Sequence, residues 1–482
     1  MTAQTEPRAS AIARTLGERE TAGGRHASLR SRFGRGAAST ALALLLISIG
    51  LGYAVLMKGG VWPQDWAIAL IFVGSGSLTL ALWRGPLQNA PKPDRWLRVL
   101  LVMFVAYVLL QLLPLPQSLL SLLSPQRAEQ VAALRQVAPV GFAPLTVFAP
   151  ATLAYFFRIV AYLAVLVVIR EITFRWKERC WLVIAPLLAI GVIEAGIGLM
   201  QVTEDWPNGM ARGTYVDRDH FAGLLEMILP LAVMYALAAW LRADTRHKSP
   251  ALPALAAAGL GTLAGVVLLA IIYSLSRMGF VVALFALFAI GLLAAGQRLS
   301  SPRVRWLALG VLGCIVILAF VWLPPDQLIA RFADLASSDS VAGDTRLHFW
   351  RETLSLVGAY PLFGCGLGGY ESAFRKFQIT LPMMSVNFAH NDYLQALAEL
   401  GIIGGGILAA LLIVIAVRAV SGTARQDTID ARFLAIGCVG SILAMMLHSL
   451  VDFNMQIPAN ALLMSWIAGV ALGLRSEPQR AA

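Results

Sequence analysis

Six histidines are the side chains of this chain best suited to proton transfer near neutral pH. His390 has the most telling surroundings. It stands in Phe388-Ala389-His390-Asn391-Asp392-Tyr393-Leu394-Gln395, just ahead of an apolar run over 391–417. The start of a helix carries partial positive charge, which disfavours imidazolium. A neutral imidazole is what a general base requires. The competing reading is an interfacial histidine with a satisfied hydrogen bond. His220, His348 and His448 are the other histidines placed at or near the same face, whereas His26 and His247 fall on the opposite side.

The elements that must position these residues are membrane helices. Of the 482 residues, 58% are hydrophobic and only 13% charged. Continuous Leu- and Ala-rich runs of 18 residues or more match the thickness of a bilayer as helices, not as alternating barrel strands. The fold class is therefore all-α integral membrane, with about twelve spans near 37–57, 66–83, 96–114, 151–169, 180–202, 221–241, 251–274, 279–297, 306–323, 391–417, 432–451 and 459–474. The organisation reads as an Arg-rich cytoplasmic tail over 1–36, nine spans over 37–323, a loop over 324–390, three spans over 391–475 and a short tail over 476–482.

With the N-terminus in the cytoplasm, 26 of the 38 Lys and Arg fall on the cytoplasmic side. The net charge of +11 is then a topology signal. It gives no ground for a nucleic-acid partner, although the Arg-rich tail suits anionic lipid. The tail lacks the apolar core of a signal peptide, so the first span is expected to direct insertion. The four cysteines are scattered, with only Cys365 in an external segment, and indicate neither a disulfide framework nor a metal site.

Three external segments are long: the Pro-rich 115–150, the charged 203–220 and the 324–390 loop. In the last, Asp344 is a good N-cap for a helix from Thr345 to about Val357. Its stripe of Leu347, Trp350, Leu354 and Val357 suits the membrane interface.

His390-Asn391, nine residues, then Gly401-x-x-Gly404 resembles the H-[NSQ]-x9-G-x-x-[GTY] pattern of the O-antigen ligase superfamily. Arg212-Gly213-Thr214-Tyr215-Val216-Asp217-Arg218-Asp219-His220-Phe221-Ala222 is similar to that family's G-T-F-x-N-x-N-H-F-A segment, with aspartates where asparagine is commoner. Ser274-Leu275-Ser276-Arg277 resembles its S-R element. Arg346-x-x-x-Trp350, with Pro361 to Tyr370, resembles the block that follows. The resemblance implies glycosyl transfer without a metal or other cofactor, from a glycan on undecaprenyl pyrophosphate, at the periplasmic face of the inner membrane. It maps the family's essential arginines onto Arg277 and Arg346 and its essential histidine onto His390. Guanidinium binds phosphate through two prongs, which suits the charge on such a leaving group.

Arg212, Arg218, His220, Asn391, Trp350 and His448 are further candidates for substrate contact. Arg277 at a span junction could instead snorkel to headgroups, and Arg212 and Arg218 could pair with Asp217 and Asp219. Arg158 and Glu194 lie within spans and suit either function or a mutual ion pair. Gly364-x-Gly366-x-x-Gly369 fits a dinucleotide fingerprint in letters, but no strand precedes it. His448-Ser449-Leu450-Val451-Asp452-Phe453-Asn454 looks like a catalytic cluster, yet its spacing on one helix end gives no triad, so it is expected to line the cavity. The acceptor is expected to be lipid A core or a growing glycan, the latter making the protein a repeat-unit polymerase. The reading from another class is a solute transporter. Repeated halves and broken helices would favour it, and the sequence shows neither.

Overall fold

The structure is a computed structural model. It describes residues 37–82, 94–137, 139–204, 209–245, 251–298, 325–336 and 341–474, with Gly313, Cys314 and Leu318 as single positions. The two expected tails, His26, His247 and nearly all of the expected span over 306–323 lie outside the described residues.

Ten described helices are long and apolar enough to cross a membrane. They are α1 (Ala37–Leu56), α2 (Pro63–Leu82), α3 (Arg95–Leu112), α6 (Ala149–Arg175), α7 (Trp181–Thr203), α8 (Arg218–Thr245), α9 (Ala251–Tyr273), α10 (Arg277–Arg298), α14 (Asp392–Thr423) and α15 (Ile429–His448). A shorter apolar helix, α16 (Pro458–Leu474), completes the series. Each matches an expected span to within a few residues, and the protein is an all-α membrane protein. Local chemistry sets several starts. The Asp94 carboxylate accepts from Trp96 N to open α3, and Thr428 Oγ1 accepts from Ala431 N to open α15.

The inner layer is formed by α8, α15 and α16, in which nearly every side chain of α16 is buried. α8 packs on α9 and α15, and α16 on α6, while α3 lies against α14. Because α16 is screened by its neighbours, its length need not match the bilayer.

The Pro-rich segment folds into α4 (Gln117–Leu123), α5 (Pro125–Leu134) and a two-stranded antiparallel ribbon of Pro114–Pro116 with Phe142–Pro144. The loop before α14 holds α11 (Asp326–Ala336), α12 (Val341–Ala359) and the short α13 (Tyr370–Phe374). α12 starts earlier than expected, so Asp344 lies inside it and is not its cap. The face that α12 packs on the protein is a different one from the stripe expected at the membrane interface. Leu347 and Leu354 are exposed, whereas Phe349, Thr353 and Leu356 are buried. The inward face is chosen by the tertiary partners Tyr370 and Phe374, which Phe349 and Thr353 meet.

α14 contains a break that hydropathy does not reveal. Gly401 has φ +62° and ψ −172°, a conformation almost confined to glycine. The strap Pro361–Gly369 runs past this break and pairs with it through backbone. Cys365 N donates to Ala398 O, Gly366 N to Glu399 O, Ile402 N to Pro361 O and Ile403 N to Leu362 O. From α3, Gln111 Nε2 donates to Phe363 O and Glu399 O, and Tyr107 Oη donates to Leu400 O. These bonds satisfy polar groups that a broken helix would otherwise expose to an apolar surrounding. The G-x-G-x-x-G letters therefore encode this strap. A Cβ on Gly404 would lie 2.2 Å from the Tyr107 ring, so its hydrogen is what lets α3 and α14 approach.

The strap also buries Cys365 completely and burial pushes its thiol well up. External in sequence order, it is not accessible. Arg158 and Glu194 do not pair. Arg158 lies between the Trp66 and Tyr155 rings at 4.7 Å from each, and Glu194 accepts from Thr214 N and Oγ1 at 2.9 and 2.8 Å. Both charges have local structural partners.

Candidate active site

A cavity of about 420 Å³ opens where α8, α10, α11, α12 and the turn after α15 converge. That is within the range of small-molecule sites. Four guanidinium groups line it, from Arg218, Arg277, Arg331 and Arg346, with Asp219, Asp452 and His448 as further polar groups. Leu275, Met278, Val281, Leu347, Trp350 and Val451 supply its apolar wall.

Arg277 is the first residue of α10 and follows a tight turn. Ser276 N donates to Ser274 Oγ, Gly279 N donates to Ser276 Oγ, and Leu275 adopts φ +56°. A branched side chain at positive φ is strained, and such strain concentrates at functional sites. The Arg277 guanidinium donates to Arg331 O at 2.8 Å, so α11 holds it in place. Arg346, on α12, lies 4.0 Å from Asp219. Asp219 itself belongs to the first turn of α8, whose start is capped by Asp217 Oδ1 accepting from Asp219 N.

His390 also has a positive φ, +50°. The two residues after it explain why. Asn391 caps α14, its Oδ1 accepting from Tyr393 N and Leu394 N, while its Nδ2 donates to Leu450 O. Asp392 is buried, accepts from Ser449 Oγ and Met455 N, and donates through its own N to Ser449 O. The triplet thus fastens the start of α14 to the turn 449–455. That turn carries Asp452, whose Oδ1 lies 3.6 Å from His390 Nδ1. This is an ion-pair distance and too long for a hydrogen bond, as is common in unliganded sites. Phe453 packs edge-on against both His390 and His220 and stacks on Phe388.

Asp452 is the hub of the site. His220 Nε2 lies 3.7 Å from its Oδ2 and His448 Nε2 3.9 Å. Burial by itself would raise this carboxyl. The His390, His220 and His448 rings and Arg346 outweigh burial and hold it well below the usual carboxylate range. His448 is anchored on its other side, with Nδ1 3.0 Å from each carboxylate oxygen of Glu226 on α8.

The structure brings together Arg218, His220, Arg277, Arg346, Trp350, His390 and His448. Trp350 lines the cavity, and its Nε1 donor is buried without a hydrogen-bond partner. Asn391 adjoins the site; its Oδ1 caps α14 and its Nδ2 donates one hydrogen bond to Leu450 O, which fixes the backbone that carries His390. Arg212 does not line the cavity; its backbone N donates to Gln201 Oε1 in the clamp that α7 places on the 211–215 segment. Sequence reasoning missed Arg331, Asp219 and the part played by Asp452 and Glu226. The His448–Asp452 spacing of one helical turn was the available signal for Asp452; Arg331 had none. Among the described residues no group of three or more His, Cys, Asp or Glu is arranged to hold a metal ion.

A search of curated proteins returned no match to the chain. A scan of family models matched one described as O-Antigen ligase over residues 262–409. That stretch runs from within α9 through α10, α11, α12 and the strap to the broken part of α14, and it contains Arg277, Arg331, Arg346, Trp350 and His390. The match covers the arginine wall and the histidine, whereas Asp452, His220 and His448 lie outside it. Residues 262–409, about a third of this multi-helix membrane protein, thus match an O-antigen ligase domain.

Proposed function

We propose that the protein transfers a glycan from undecaprenyl pyrophosphate to an acceptor hydroxyl, acting as a ligase onto lipid A core at the periplasmic face of the inner membrane. The observation that carries this reading is the arrangement of Arg277 and Arg346 on one cavity that also admits Asp452, the partner of His390. The acceptor oxygen attacks the anomeric carbon as the bond from that carbon to the phosphate oxygen breaks. The proton of the hydroxyl passes to His390 Nε2, since Nδ1 faces Asp452. Asp452 fixes the ring orientation and stabilises the imidazolium that forms, as the acid of a catalytic triad does. The departing pyrophosphate gains one negative charge, which the fork-shaped guanidiniums of Arg277 and Arg346 stabilise. The protein needs no metal in this scheme, and turnover in excess EDTA is the expected result; activity lost to EDTA and restored by Mg²⁺ or Mn²⁺ would refute that part.

Deletion of the coding sequence tests the reaction class. Loss of the O-antigen ladder with build-up of lipid-linked polymer identifies a ligase. Lipid A core capped by a single repeat unit identifies a polymerase instead. Orientation is tested by cysteine labelling, but Cys365 is buried and unsuitable. Met383 is almost fully exposed on the loop before α14. Met383→Cys in a Cys314→Ser background should react with an impermeant thiol reagent on intact spheroplasts. Reaction only from the inside would reverse the orientation.

A further inference from the structure

α11 is an eleven-residue helix that presents one side to the protein and one outward. Leu328 is fully buried against Ile272, Leu275, Phe280 and Leu284 at the junction of α9 and α10, while Ile329 on the next position is exposed. Two features of Arg331 follow from this docking. Its main-chain oxygen receives the Arg277 guanidinium at 2.8 Å, and its side chain enters the wall of the same cavity as Arg277 and Arg346.

The position of the side chain suits an anionic ligand. The cavity wall holds four guanidiniums and the two carboxylates of Asp219 and Asp452. Asp219 faces Arg346, and Asp452 is offset by its cationic neighbours. A lipid-linked sugar diphosphate carries two negative charges. Arg331 places a further guanidinium on the wall, beside Arg277 and Arg346, where such a diphosphate would lie.

We propose that Arg331 is a third phosphate-gripping guanidinium, and that docking of α11 through Leu328 places both it and Arg277. The inference rests on the glycosyl-transfer reading and names a substrate contact that this reading does not require. Arg331 is a binding contact and the α11 backbone a positioning element. Both act on a diphosphate carried by a membrane lipid.

Binding of undecaprenyl pyrophosphate to the full-length protein in nanodiscs tests it, with thermal melts on the same samples. Arg331→Gln should weaken binding on the order of 10- to 100-fold, the usual effect of losing a charge-assisted hydrogen bond, with the melt little changed. Arg331→Lys should fall between the two, since it keeps the charge and loses the fork. Leu328→Asn should weaken binding at least as much as Arg331→Gln, because it frees Arg277 as well. Arg346→Gln is the reference for the clamp itself. If Arg331→Gln and Leu328→Asn bind as wild type while Arg346→Gln fails, Arg331 is no contact and the glycosyl-transfer reading stands. If Arg346→Gln also binds as wild type, the pyrophosphate clamp fails and this inference fails with it.

Discussion

Two neighbouring regions of the protein use their polar groups in opposite ways. Around the break in α14, the strap, Tyr107 and Gln111 mate carbonyls and N–H groups one by one, and glycines remove every side chain that would keep the backbones apart. Around the cavity, His220 Nε2, His390 Nδ1, Asp452 Oδ2 and Trp350 Nε1 are buried without hydrogen-bond partners, and Leu275 and His390 sit at positive φ. In the first region the backbone groups of the break are mated, with the side-chain atom Glu399 Oε2 buried there without a partner. The second holds strained and unsatisfied groups in place, which is the condition of a site waiting for a ligand. The contrast teaches that the rigidity of the one supports the strain of the other, because α14 carries the break and, eleven residues earlier in the chain, His390 stands just ahead of its Asn391 cap.

The comparison breaks most severely at Gly401. A Cβ there would stand 2.4 Å from Leu362 O and force the backbone out of its glycine-only conformation. Gly401→Leu should cost roughly 3 kcal/mol or more, since backbone strain and overpacking add. The expected result is loss of monodisperse protein on detergent size exclusion, with activity lost as a consequence.

At the cavity the opposite outcome is expected, large loss of turnover in a folded protein. His390→Ala should reduce transfer by about 10²–10⁴-fold, the usual contribution of a general base, while donor binding and the thermal melt stay near wild type. Near wild-type turnover would remove His390 from the base role and direct attention to His220.

Arg277→Lys and Arg346→Lys come next, at roughly 10²–10³-fold in rate if each stabilises the leaving group as an oxyanion donor does. Weaker binding of undecaprenyl pyrophosphate should accompany the loss. Normal binding and turnover in both variants would dismantle the clamp.

The smallest effect sharpens the comparison within the unsatisfied region. Asp452→Asn should lower turnover about 10–100-fold by releasing the His390 ring, with donor binding unchanged. Its carboxyl is held below the usual range, so the ionised group stabilises the fold above the unfolded value near pH 4. That contribution is lost as pH falls through the depressed value. The unfolding free energy of wild type should therefore drop more steeply on acidification than that of Asp452→Asn, by on the order of 1–3 kcal/mol. Parallel acid limbs would show that Asp452 is not held ionised by its neighbours.

The sequence by itself determined what depends on local composition and short spacing. Apolar runs of bilayer length set the spans, because a helix is the local solution for backbone in lipid. His390-Asn391 announced a helix start, because the Asn391 cap is satisfied within three residues. The arginines of the Ser-Arg turn and of α12 were legible as candidates through the family resemblance. Only the tertiary structure decided which of these meet. The break at Gly401 lies in an unbroken apolar run, and its stabilising partners come from α3, more than 250 residues away in the chain. Asp452 became the partner of His390 only when Asp392 and Asn391 tied α14 to the turn after α15. Arg331 reached the cavity only because Leu328 found a pocket between α9 and α10. Each depends on packing between distant segments, and such packing leaves no periodic mark in a sequence.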